Sequence, residues 1–276
     1  IAAVDGQEQW SLGGSVMALI NDGQASLDPE IPNKFCFSGL FAKNDAITTV
    51  SEDLLPATKL KDDCYYGMFA GCNSLINVPN LPAMEIPKDA YEIMFTGCDS
   101  LVNGPSELPA LTVDTFGYSG MFSNCNSLSS PAFIKATSLG DSACAGMYGE
   151  CNALQIPSNY VLPSCTALNC YGQMFAHCLS LKSTCSIPTS SLSNYCYRAM
   201  FRDCPNLQTI KPITVTDTNI AGVEHAFDNM FAMSEEVEAK TPSAYSLNKS
   251  IVSSSPTIDL SNCTTDEITL EYDYKY

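Results

Sequence analysis

Cys64-Tyr65-Tyr66-Gly67-Met68-Phe69-Ala70-Gly71-Cys72-Asn73-Ser74-Leu75 is a phrase that the chain repeats, and its recurrence decides how the sequence is read. The same frame returns at Met94-Phe95, Met121-Phe122, Met147-Tyr148, Met174-Phe175 and Met200-Phe201, with degenerate copies at Leu40-Phe41 and Met230-Phe231. Successive Met or Leu positions lie 28, 26, 27, 26, 27, 26 and 30 residues apart. Such a period marks a repeat array in which each copy is one small unit stacked on its neighbours. The fold expected is an α/β solenoid with end caps.

Within a copy the spacing separates into two parts. Cys64 and Met68 are four residues apart, as are Tyr65 and Phe69, which predicts a short helical turn with one apolar side. Asp63, Asp89, Asp141, Asn169 and Asn194 suit its N-cap. Gly71, Gly97 and Asn124 stand where a left-handed residue would end it. Past Cys72 the segment 75–83 runs from Leu75 through Pro79 to Pro82, and 101–110 is its counterpart. A Leu-led strand ending at Pro is predicted there, because Pro removes a donor where pairing stops. Stacked strands would form a narrow parallel sheet facing the helical turns. The expected core is Met68, Phe69, Cys72, Leu75; Met94, Phe95, Cys98, Leu101; Met121, Phe122, Cys125, Leu128; Met174, Phe175, Cys178, Leu181; and Met200, Phe201, Cys204, Leu207.

Fourteen cysteines invite a disulfide reading, but their places argue for packing. Six (Cys72, Cys98, Cys125, Cys151, Cys178 and Cys204) follow the Met by four residues. Cys36, Cys64, Cys170 and Cys196 precede it by four, where other copies carry Ala90, Gly117, Ala143 or Ala226. Exchange of Cys for Ala or Gly fits a tight apolar slot and would strand a bridge partner, so mostly free, buried thiols are expected. Cys165, Cys185 and Cys263 fall outside the frame, and a local bridge among them is the exception allowed. The two histidines, His177 and His225, are each alone in their copies, and His177 takes the place of Gly71 or Gly97. No four-ligand zinc spacing and no EF-hand order of acids is present, so no metal or other cofactor is expected.

The chain of 276 residues carries 30 acidic and 13 basic side chains, a net charge of −17. That balance disfavours nucleic-acid and anionic-membrane partners. No apolar run is long enough to span a bilayer. The start at Ile1, without Met or a signal pattern, suits a trimmed chain from which a targeting segment is absent. Residues 1–30 are read as an N-terminal cap with Trp10 lying over the first copy. Residues 31–233 are read as about eight repeat units of 26–30 residues, with the first and last degenerate. Residues 234–276 are read as a C-terminal cap or tail, with 268–274 as an edge strand.

The phrase Cys-Tyr-x-x-Met-Phe-x-Gly-Cys-x-Ser-Leu followed by Leu-Pro-Ala resembles the BspA-like leucine-rich repeats of bacterial surface proteins, best at 64–83 and 91–110. The resemblance covers about 33–233. It implies a leucine-rich-repeat solenoid, with short parallel strands on one side and short helical turns on the other, on a secreted or cell-surface bacterial protein. It also implies adhesin-like binding of a host protein, matrix component, glycan or other cell. No nucleophile–base, P-loop or dinucleotide motif is present, so no catalytic residues and no enzyme are expected. Ligand contact is expected from variable positions near the strand: Ile76, Asn77, Asn80, Asn103, Ser106, Lys182 and Gln208. A spacer arm holding another domain off a cell surface is the alternative.

Overall fold

The computed structural model describes residues 2–4, 7–20, 30–188, 192–211, 223 and 225–234. Among the described residues eight short strands follow one another: β1 (Ala2–Val4), β2 (Gln7–Leu12), β3 (Ile47–Val50), β4 (Glu85–Ile86), β5 (Glu107–Leu108), β6 (Thr112–Val113), β7 (Phe133–Ile134) and β8 (Ser138–Leu139). β1 pairs antiparallel with β2, and β2 pairs parallel with β3, so the N-terminal hairpin extends the first copy. Trp10 lies in β2 with 39% of its surface exposed, so it does not seal the first copy as a buried lid. Further on, β4, β6 and β8 form one parallel set and β5 and β7 another, each joining corresponding places in successive copies. The Leu-led segments expected to be strands contribute single bridges, Asn77 with Asn103 and Ser183 with Thr209, and most pairing comes later in the copy. Of the proposed C-terminal cap only Ser234 is described; 268–274 and Cys263 lie outside the described residues.

The expected leucine-rich-repeat solenoid with helical turns is not the architecture found. Among the described residues there is no α-helix, and the helical segments are two single 3₁₀ turns, Val16–Leu19 and Glu52–Leu54. Around each Met-Phe the chain runs instead through overlapping turns. Tyr66, Met68, Ala70 and Cys72 donate their backbone N–H groups three residues back, to Asp63, Tyr65, Gly67 and Phe69. The alternate residues Tyr65, Gly67, Phe69 and Gly71 donate to Ala90, Glu92, Met94 and Thr96 of the next copy, at 3.1, 3.0, 2.9 and 2.7 Å. The same alternation continues through the later copies. An α-helix bonds every interior N–H to its own fourth predecessor and leaves none for a neighbour. Here half the donors tie one copy to the next, and the backbone is satisfied without a helix.

A left-handed residue every fourth position makes this possible. Asp63, Gly67 and Gly71 have φ of 57°, 55° and 72°. The corresponding residues Asp89, Ile93 and Gly97 have 56°, 46° and 69°, and Phe116, Gly120 and Asn124 have 56°, 57° and 59°. Asp63, Asp89 and Asn169, read as N-caps, are therefore the first left-handed residue of a row, and Gly71, Gly97 and Asn124 are the third. Gly, Asn and Asp tolerate this region best, which is why they recur there. The four-residue apolar spacing is the period of the turn row, not an approximation to 3.6.

The Met, Phe, Cys and Leu of the repeats fill one continuous buried core. Phe41, Phe69, Phe95, Phe122, Tyr148, Phe175, Phe201 and Phe231 form a stacked column, with centroids 5.3 to 5.7 Å apart. A second column runs Phe37, Tyr65, Tyr91, Tyr118 and resumes at Tyr171, Tyr197, Phe227. Its gap is Cys144; in that same copy Tyr148 replaces Phe and its hydroxyl accepts the N–H of Ala132 at 2.9 Å. Each ring pair adds about 0.5–1.5 kcal/mol beyond area burial.

Candidate functional site

The chain carries fourteen cysteines, and the fold uses the six that follow the Met for stacking. Each of the six that follow the Met donates its thiol to the carbonyl of the aromatic residue in the preceding copy. The bonds run from Cys72 to Phe41, Cys98 to Phe69, Cys125 to Phe95, Cys151 to Phe122, Cys178 to Tyr148 and Cys204 to Phe175, at 3.0 to 3.2 Å. Burial pushes these thiols up, Cys151 and Cys204 to about 12, so they are protonated near neutrality. A nucleophilic Cys needs the opposite environment. One disulfide joins Cys165 to Cys170. Cys170 was expected to be free; Cys185 is free and buried. Four residues of loop between them bring the two sulfurs together, a proximity that column position alone does not reveal.

His177 occupies a left-handed place, φ 60°, and its Nδ1 lies 3.3 Å from the buried Asp203 carboxylate. His225 pairs with Asp228 and stacks on Tyr195. Among the described residues no three His, Cys, Asp or Glu side chains converge on a point that could hold a metal.

A recess on the strand side lies between the first and second full copies. It encloses about 470 Å³, lined by Glu52, 77–82, 103–107 and Pro109. It exists because the copies differ by one residue. Val78-Pro79-Asn80-Leu81-Pro82 is matched by Gly104-Pro105-Ser106-Glu107-Leu108-Pro109. The pairing offset is accordingly 26 at Asn77–Asn103 and 27 at Ile86–Val113, so the register changes between them. Gly104 stands at the step, where an added Cβ would meet Leu128 at 3.1 Å.

Four of the residues expected to touch a ligand, Asn77, Asn80, Asn103 and Ser106, line this recess. Asn77 is committed to the fold: its side-chain amide bonds both the N–H and the carbonyl of Val50, at 3.0 and 2.8 Å. Asn80, Asn103 and Ser106 are exposed. Ile76 is exposed beside the recess without lining it, and the exposed Val102 occupies the matching place in the next copy. Lys182 and Gln208 are stacked on each other in later copies, joined by a 2.8 Å backbone bond, and do not join the group. Glu52, Glu107 and the prolines 79, 82, 105 and 109 were not anticipated; the single extra residue in 101–110 was the signal for all but Glu52. Glu107 on the rim pairs with Lys135 at 3.3 Å.

Comparison with family models, curated proteins and solved structures finds no match. No helix among the described residues is long and apolar enough to cross a membrane.

Proposed function

We propose that this chain is a non-enzymatic recognition module of a secreted or cell-surface bacterial protein, binding an extracellular protein or glycan across the recess at Asn80, Asn103 and Ser106. The observation that carries the reading is the register step. There one extra residue opens a concave surface with exposed amide and hydroxyl groups beside the apolar pair Ile76 and Val102. Polar groups set among apolar and proline surface are the usual make-up of a binding cleft. The motif resemblance supports the surface location.

The test is a triple variant, Asn80→Arg, Asn103→Arg and Ser106→Arg, beside the wild type on an array of extracellular matrix proteins and glycans. Loss of the bound partner at unchanged melting temperature is expected. A wild type that captures nothing, or a variant that retains its partner, points instead to the spacer reading.

A further inference from the structure

The turn side holds a second recess that the repeat frame does not explain. It encloses about 350 Å³ and crosses five copies, from Ile93 and Thr96 through Ser119, Gly120 and Ser123, then Ala145 and Gly146, to Asn169, Gly172, Gln173 and Arg198. Outward places that carry Tyr66 and Glu92 in earlier copies hold Ser119, Ala145 and Gly172 here, and Arg198 restores bulk at the end. At the copy spacing of about 4.8 Å, the trough is roughly 19 Å long.

Its two ends differ in charge. The chain contains two arginines, Arg198 and Arg202, and both belong to one copy at one end of this trough, in a molecule of net charge −17. Arg198 is exposed and its guanidinium sits 5.6 Å over the Tyr195 ring, which stacks in turn on His225 at 5.0 Å. Arg202 is drawn to Asp203 at 3.4 Å, whereas no carboxylate among the described residues pairs with Arg198. At the far end Glu92 is hydrogen-bonded to Ser119. Gln173, exposed beside Arg198, offers an amide donor and acceptor. Thr96 and Ser123 give their hydroxyl hydrogens to neighbouring carbonyls, of Ser123 and Gly149, and keep lone pairs for a ligand's hydroxyl donors.

We propose that this trough binds an acidic oligosaccharide, its carboxylate held by Arg198 and Gln173 and its hydroxyls lying along Ser119, Ser123 and Thr96. A guanidinium held over a ring presents its donor fork to a planar anion. A peptide fits less well. The backbone donors of the floor are consumed within and between copies, so no strand can be added, and Ile93 is the one large apolar side chain in the lining. The proposal deepens the recognition reading but rests on different residues, so either can fail alone.

The test is calorimetric titration of the full chain with tetragalacturonate, with maltotetraose as the neutral control and a tetraglutamate peptide as the acidic one. Binding of tetragalacturonate alone is expected. Arg198→Gln should weaken it about tenfold or more, consistent with loss of a charged hydrogen bond. Ala145→Leu, which fills the floor, should abolish it, while the Asn80/Asn103/Ser106 triple variant leaves it unchanged. No binding by the wild type, an unaffected Arg198→Gln, or equal binding of maltotetraose or tetraglutamate would overturn the proposal.

Discussion

Replacing Gly146 by Ala distinguishes the turn row from a helix by the sign of its effect. Gly146 has φ of 60°, and a Cβ added there meets nothing within 4 Å, so the change acts on the backbone alone. Holding an L-residue in the left-handed region costs about 1–2 kcal/mol. Loss of glycine's freedom in the unfolded chain returns about 0.4–1 kcal/mol. The net expectation is a destabilisation of about 0.5–1 kcal/mol. In a helix interior the same substitution would stabilise by about 0.5–1 kcal/mol. Glu150→Gly is the mirror experiment, because Glu150 is exposed and sits at φ 64°. Relief of its left-handed strain, less the freedom that glycine adds to the unfolded chain, should raise stability by about 0.5–1 kcal/mol. Urea unfolding at constant m reads both. A raised midpoint for Gly146→Ala together with a lowered one for Glu150→Gly would refute the four-residue turn row.

Three further outcomes follow from the core and its charges. Phe122 is stacked between Phe95 and Tyr148 at 5.5 and 5.6 Å, so Phe122→Ala should cost about 3–5 kcal/mol in urea unfolding; under 1 kcal/mol would show that the column does not bear on stability. The thiols of Cys151 and Cys204 are raised from 9.0 to about 12, so their contribution is complete below pH 9 and is lost as pH rises toward 12. Each should lower stability by on the order of 1 kcal/mol by pH 10, and Cys151→Ala should flatten the stability–pH curve by its share; an unchanged slope would contradict the buried, protonated thiol. Glu92 is raised from 4.5 to about 7, by burial first and then by Asp89, so its contribution is present below pH 4.5 and lost as pH rises through 7. Glu92→Gln should therefore raise the melting temperature at pH 8 and change it little at pH 4, with an equal effect at both pH values counting against the cause assigned.

The repeat frame made the inward residues legible, because apolar identity at Met68, Phe69, Cys72 and Leu75 is what stacking requires. The backbone that carries them was misread. Positions four apart satisfy both a helix and a four-residue turn row, and the distinguishing feature lay in the residues between. A helix of this length would want apolar groups three and seven residues on from Cys64, and the chain has Gly67 and Gly71 there. The capping interpretation of Asp63 and Gly71 found the right conformational preference in the wrong element. Of the recess residues, Asn80, Asn103 and Ser106 were visible because they interrupt apolar sequence. Glu52 was not, since only stacking brings it beside Asn80, whose N–H it accepts at 3.1 Å. The Arg198 trough was hidden for a related reason: its shape comes from the run of small residues at equivalent places in three copies.

The most direct test of the architecture is the backbone angle at left-handed residues that are not glycine. Asp63, Ile93, Phe116, Glu150 and Gln173 should each show the strong intraresidue Hα–HN NOE that a positive φ produces, with φ near 46° to 64°. Weak intraresidue NOEs and helical chemical shifts running unbroken from residue 63 to 71 would contradict the turn row, and with it both recesses built on its stacking.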